Sequence, residues 1–207
     1  ATGDYGVGVP GGSVGAMVST PIGTDGGFLV SGHYRSFGNW DSPDGEVFNS
    51  GFRDSGVLVR ASYRLGPGTL TAGWQGDYGR DIDRPRNNST TVRFYYPEEN
   101  SSRFTLNWES GPVAGFSRIA FIGFLGSYDQ ITNQFRFATP DSAATLEQAD
   151  VSANDFQARS FAERFFGPVR VEVGVDIHGR YDLHALDNFV RYTVPPEERS
   201  NVSVEDA

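Results

Sequence analysis

The sequence predicts an all-β chain built as an antiparallel transmembrane β-barrel, and three observations predict it. About seven segments alternate apolar and polar residues, the connections between them alternate short and long, and the Leu/Ala/Glu/Lys repeats that make helices are sparse. Side chains on a strand point alternately to its two faces, so period-2 alternation gives one face to an apolar medium and the other to water. A soluble half-buried strand alternates too. The regular exchange of brief turns and long loops favours the barrel, whose turns are short at one end and loops long at the other.

Residues 3–27 are glycine-rich and hold one short apolar run, Val14 to Val18, before a turn from Pro21 to Gly27. A first long strand is expected from Phe28 to Phe37, followed by a polar loop over 38–56 that carries Trp40, Asp41, Asp44 and Glu46. Val57 to Leu65 places Val57, Val59, Ala61, Tyr63 and Leu65 on one face against Arg60, Ser62 and Arg64 on the other. Gly66-Pro67-Gly68 reverses the chain, because Gly tolerates positive φ and Pro fixes its own. Thr69 to Tyr78 then returns with Leu70, Ala72, Trp74 and Tyr78 opposite Thr71, Gln75 and Asp77.

A long loop is expected over 79–100, rich in arginine, tyrosine and acid. Ser101 to Ser110 sets Phe104, Leu106 and Trp108 against Arg103, Thr105, Asn107 and Glu109, and Gly111 to Gly115 turns the chain again. Phe116 to Tyr128 is apolar at both parities, so its faces stay open. A third long loop over 129–155 precedes Phe156 to Phe166, and Gly167-Pro168 leads into the clearest strand, Val169 to His178, with a possible extent to Thr193. On that strand Val169, Val171, Val173, Val175 and Ile177 share one face, and Arg170, Glu172, Asp176 and His178 the other. The tail from Val194 has the look of another loop with no returning strand. Loops beyond about 12–15 residues are usually functional, so three at one end imply a shared binding surface.

Composition narrows the function classes. With a net charge of −9 and no Lys/Arg cluster the chain has no footprint for nucleic acid. It has no cysteine, hence neither a disulfide framework nor a thiolate metal site. No apolar run approaches the roughly 18–20 residues of a spanning helix, whereas a barrel strand needs only about 9–11. No signal peptide is visible, as expected if Ala1 starts a mature or excised segment.

The stretch Gly6-Val7-Gly8-Val9-Pro10-Gly11-Gly12-Ser13-Val14-Gly15-Ala16-Met17-Val18 resembles the end of the plug domain of TonB-dependent outer-membrane receptors, where a glycine pair precedes a short strand leading into the barrel. Residues Arg80 to Arg86, Phe94 to Glu99 and Val173 to Tyr181 resemble barrel segments of the same family. The resemblance implies that residues 1–26 are the C-terminal end of a plug and 27–207 the N-terminal part of the barrel. It supplies about seven strands of a larger plugged barrel that in this family has about 22. It further implies energy-coupled uptake of a scarce ligand, foremost a ferric siderophore, in the outer membrane of a Gram-negative bacterium. The implied partners are outer-membrane lipid, the remaining plug and barrel strands, the TonB energy-coupling protein acting through the missing part, and a small ligand such as a ferric chelate. No enzymatic mechanism and no cofactor are implied. The competing reading is a soluble all-β domain, such as a sandwich that binds or hydrolyses glycans with the loops at one end.

Two residue sets are candidate sites. Arg60, Arg64, Gln75, Asp77, Arg103, Glu109, Arg170, Glu172 and Asp176 are expected to face the lumen, where they either contact plug or substrate or simply solvate a polar interior. The loop set Trp40, Arg84, Arg86, Arg93, Tyr95, Tyr96, Phe135 and Arg136 combines aromatic and cationic groups suited to an anionic, conjugated ligand, or is solvated decoration. Asp41, Asp44 and Glu46 lack the full spacing of a calcium loop. His33, His178 and His184 show no zinc spacing, the glycines near the start lack a nucleotide fingerprint, and adjacent Glu98 and Glu99 point apart on an extended chain, which argues against a paired acid/base site.

Overall fold

The computed structural model describes residues 2–5, 10–85, 89–193 and 195–205 of the 207-residue chain, with the backbone alone for 2–5 and 202–205. It is an antiparallel all-β meander. Strands β1 (Thr2–Tyr5), β2 (Gly11–Ile22), β3 (Gly26–Phe37), β6 (Phe52–Leu65), β7 (Gly68–Asp83), β8 (Val92–Ser110), β9 (Arg118–Arg136), β10 (Thr145–Phe166), β11 (Val169–Arg191) and β12 (Glu197–Glu205) pair in chain order in one ten-stranded sheet. A small hairpin, β4 (Asp41–Ser42) with β5 (Gly45–Glu46), sits apart in the loop after β3. Among the described residues the two outermost strands, β1 and β12, do not pair with each other, so the sheet is open.

Every neighbour in this meander is antiparallel and sequential, so the turns at Gly66-Pro67, 111–117 and Gly167-Pro168 fall at one end of the sheet, as expected, and the longer connections at the other. The expected loops are shorter than the sequence suggested. Residues 79–83, 92–100, 129–136 and 145–155 belong to strands, leaving connections of 84–91 and 137–144. The reason is physical. Towards the loop end both faces are polar, so the hydrophobic alternation vanishes while the backbone ladder continues. The tail also differs: Glu197–Glu205 returns as β12 against β11. Residues 11–22, expected as the last strand of a plug, pair along their whole length with β3 and join the same sheet; Gly6 to Val9 lie outside the described residues.

Directly opposed residues in antiparallel strands share a face, so the register sorts every position. One ladder runs across eight strands: Ile22, Gly26, Tyr63, Leu70, Trp108, Phe121, Ser160 and Val175. It lies on an apolar face that also carries Val30, Val59, Trp74, Phe104, Leu125 and Val171. The open faces of the 116–128 segment are thereby settled: Ile119, Phe121 and Leu125 are on the apolar face, Ala120, Phe124 and Tyr128 on the polar one. Nothing covers the apolar face among the described residues. Val173 is 71% exposed, Val18 68% and Val175 63%, where a sandwich would bury such residues under a second sheet. Nearer the loops the same face turns polar, with Ser55, Asn100, Ser102, Ser127 and Asp129.

That ladder also measures a stagger. At the first hairpin it coincides with the last pair before the turn, Ile22 with Gly26, while at β11 it passes through Val175, six residues above the last pair, Phe166 with Val169. The turn end therefore drops by about one residue per strand across the sheet.

Among the described residues the buried apolar side chains, Ala120, Ala153 and Phe161, all lie on the polar face, two of them near the turns. Phe161 is 7% exposed and Ala120 1%. The Phe161 ring is flanked by the Arg118 and Arg159 guanidiniums, each 5.1 Å from its centroid. Gly174, opposite Phe161, leaves it room: a Cβ there would lie 2.6 Å from the Ser160 carbonyl oxygen and 2.7 Å from the Phe161 Cβ. Backbone cannot swing aside as a side-chain tip does, so Gly174→Ala is expected to destabilise the folded protein by about 1–3 kcal/mol, measured as a lower urea midpoint. An unchanged midpoint would mean that Phe161 is not fixed against β11.

Candidate functional site

The polar face carries a trough of charged groups built strand by strand. A second ladder, His33, Gly56, Asp77, Ser101, Tyr128 and Ala153, crosses six strands at one level. Small residues alternate with large ones along it, which leaves space for the larger side chains to lie along the sheet. At Gly56 a Cβ would collide with the His33 ring and lie 2.7 Å from an Asp77 carboxylate oxygen, so both side chains lean over this glycine from neighbouring strands.

Around the ladder the charged side chains contact one another, polar neighbours or a ring. Arg35 donates from Nε to Asp54 Oδ1 at 2.8 Å and from Nη2 to Oδ2, a two-pronged pair, with His33 Nε2 3.6 Å from the same carboxylate. Gln75 donates to Asp77 at 2.7 Å, and the Tyr128 hydroxyl to Glu99 at 3.4 Å. Arg180 holds Asp155 with bonds of 2.8 and 3.2 Å. Arg103 has its guanidinium 5.4 Å from the Phe124 ring centroid. Together Asp77, Arg103, Phe124, Tyr128, Asp155 and Arg180 line a hollow of about 430 Å³. A second of about 310 Å³ shares Asp77, Ser101 and Tyr128 with it and extends to His33, Arg35 and Asp54.

Closer to the turns the same face holds a chain of ion pairs. Arg118 meets Glu109 at 2.9 Å, Arg159 meets Glu172 at 3.2 Å, and Arg170 bridges Glu163 at 2.7 Å and Glu172 at 3.1 Å. Gln157 donates to both Asp176 oxygens at 3.2 Å. Such partly exposed pairs stabilise little, about 0–1 kcal/mol each; their consequence is a face that is wettable and nearly charge-balanced.

All nine residues expected on the polar side, Arg60, Arg64, Gln75, Asp77, Arg103, Glu109, Arg170, Glu172 and Asp176, do share that face. The loop set does not assemble into one surface. Arg93, Tyr95, Tyr96, Phe135 and Arg136 stand on β8 and β9 rather than in loops. Arg93 pairs with Asp83 at 2.7 Å and stacks 4.2 Å over Tyr95, on the side that continues the apolar face. Phe135 lies on that side too, against Phe137 and Tyr192. Arg84 stacks on Tyr96 at 4.8 Å, next to Phe94, and Arg136 faces Glu147 at 3.8 Å. Trp40 sits in the first loop, its backbone N–H held by Ser50 Oγ at 3.0 Å. Arg86 lies outside the described residues.

Several members of the trough were not singled out from sequence: His33 as an ion partner, Arg35, Asp54, Glu99, Tyr128, Asp155 and Arg180. Asp155 with Arg180 was recoverable by counting outward from the Gly167-Pro168 turn. Asp41 stands opposite Glu46 in the small hairpin, where Asn39 donates to Glu46 at 2.8 Å. Among the described residues no group of three or more His, Asp or Glu is placed to hold a metal ion, and no helix is long and apolar enough to cross a membrane. No family model, no curated protein and no solved structure matches this chain.

Proposed function

We propose that this chain is a wall segment of an outer-membrane β-barrel of the TonB-dependent receptor type, working in energy-coupled uptake of a scarce ligand such as a ferric siderophore. The observation that carries the reading is the uncovered apolar face with its stagger. In a closed barrel, a drop of about one residue per strand, with a rise of ~3.3 Å and strands ~4.8 Å apart, corresponds to a tilt of roughly 35°. Membrane barrels tilt by about 35–45°. The apolar run on β11, Val169 to Ile177, has the roughly nine-residue length a tilted strand needs to cross hydrocarbon. Strands β8 to β11 have 19–23 residues, so their polar upper halves stand above the bilayer.

In this reading lipid covers the apolar face, and the charged trough faces a water-filled or plugged lumen. The rest of the barrel and the plug come from sequence beyond these strands, the TonB energy-coupling protein acts through that plug, and the trough, with Arg84 stacked on Tyr96, lines the route of an anionic chelate. The chain is a transport element and not an enzyme.

The three tryptophans make a direct test. Trp74 and Trp108 lie on the apolar face, and Trp40 in a loop. With the intact protein, any tryptophan outside this chain replaced by phenylalanine, in vesicles of brominated lipid, emission is expected to be strongly quenched, and equally so when Trp40→Phe is added. Unquenched emission would overturn the membrane placement. Uptake of a radiolabelled ferric chelate by cells, lost when the energy-coupling protein is deleted, tests the transport step; uptake indifferent to that deletion would contradict it.

A further inference from the structure

We propose that Arg164 and the hollow beside the β8 to β9 turn hold the phosphate of a phospholipid in the membrane leaflet at the turn end, an inference that rests on the membrane reading above. Among the described residues Arg164 is the one charged side chain on the apolar face between the turns and the polar positions near the loops; it stands opposite Val171, in the midst of Ala162, Val169 and Val173. Its acidic neighbours are engaged on the other face: Glu163 with Arg170, Glu172 with Arg159, Glu109 with Arg118. Arg164 instead lies 4.9 Å from the centroid of the exposed Phe166 ring. A cation with no carboxylate on a lipid-facing surface is costly at the bilayer midplane and nearly free at its rim. Arg164 is two residues from the final pair, Phe166 with Val169, so its long side chain reaches the headgroup layer while its stem stays against apolar neighbours.

The receiving surface is an open hollow at the turn rim. It measures about 430 Å³ and is bounded beside Arg164 by Pro112, Val113, Phe116 and Ser117 and, from the polar side of β10, by Phe165. The turn that walls it is fixed: Val113 and Phe116 exchange backbone bonds of 3.0 and 2.9 Å around Ala114 and Gly115, whose φ values of 51° and 83° make a tight two-residue reversal. Ser117 ties that turn to β10, accepted by the Glu163 carbonyl at 2.8 Å from its N–H and 2.9 Å from its hydroxyl. A guanidinium grips phosphate oxygens in two-pronged fashion, and the apolar walls suit a glycerol backbone and the first methylenes of its chains. A free anion gains nothing from those walls, which is why the proposed occupant is a lipid.

The test uses the intact protein that carries this chain, purified in detergent and titrated by native mass spectrometry with dioleoyl phosphatidylglycerol, and with dioleoylglycerol as the phosphate-free control. Arg164→Gln is expected to weaken retention of the phospholipid about tenfold, and Arg164→Lys about threefold, since lysine keeps the charge and loses the fork. Dioleoylglycerol should bind wild type and variants alike, and excess inorganic phosphate should not displace the phospholipid. Equal retention by wild type and Arg164→Gln would overturn the proposal, and displacement by inorganic phosphate would overturn the lipid assignment. Should Arg164→Gln fail to fold, Arg164→Lys decides alone, with undiminished binding counting against the proposal. Insertion of wild type into vesicles is read separately: its failure sinks the membrane reading, while the detergent titration still reports on Arg164.

Discussion

A Val173→Arg variant of the intact protein is expected to lose about 2–4 kcal/mol of folding free energy in lipid vesicles, a roughly thirty-fold to several-hundred-fold fall in the ratio of folded to unfolded protein. Val173 is the middle of the five apolar residues that β11 presents between Val169 and Ile177, and at 71% it is the most exposed of them. An arginine there has no nearby interface to reach, unlike Arg164 at the rim. Its neighbour Glu172 faces the other way, where it accepts from Arg159 and Arg170. Glu172→Gln keeps a polar group on the polar face and should change stability by less than about 1 kcal/mol. Folding titrations of both variants in vesicles check the contrast. Equal losses, or a worse Glu172 variant, would show that the faces are assigned wrongly.

The second large effect concerns the 207-residue chain on its own, which is expected to associate rather than remain a monomer in detergent-free buffer. Its sheet is open at β1 and β12, and unpaired backbone groups in hydrocarbon cost several kcal/mol each. In water the same edges template further strands, and the bare valine, phenylalanine and tryptophan face drives association. Almost nothing offsets this internally, since large side chains are not enclosed between layers. Sedimentation velocity of the purified chain should show large, heterogeneous species. A monodisperse monomer would remove the need for lipid or further strands and favour a soluble β-domain.

The sequence made the apolar half of the sheet legible and left the polar half obscure. Val169 to His178 alternates because one face meets an apolar medium and the other water, so strand, faces and turn all follow from it. Residues 92–100 and 145–155 carry polar groups at both parities, as both of their faces are wet. Their pairing is held by backbone bonds that leave no trace in side-chain pattern. The same logic divides the trough. Asp155 and Arg180 flank a two-residue turn, so counting from Gly167-Pro168 sets them opposite. Arg35 and Asp54 are separated by the connection over 38–51, whose internal hairpin makes such counting impossible. Phe116 to Tyr128 fails for another reason: Phe124 and Ile122 are apolar yet sit on the polar face, where Phe124 serves as a platform for Arg103.

With no cysteine among its 207 residues, this chain gives each introduced cysteine no competing thiol of its own. Single cysteines placed in turn at each position from Val169 to His178 except Gly174, in an intact protein whose cysteines outside this chain are replaced by serine, spin-labelled and reconstituted in vesicles, report whether each site meets oxygen dissolved in lipid or a water-soluble nickel chelate. Strict alternation is the predicted result: the odd-numbered positions, Val169 to Ile177, collide with oxygen and exclude nickel, and the even-numbered positions, Arg170 to His178, do the reverse. Odd positions reached by nickel, or immobilised and shielded from both probes as under a second sheet, would contradict a lipid-facing wall.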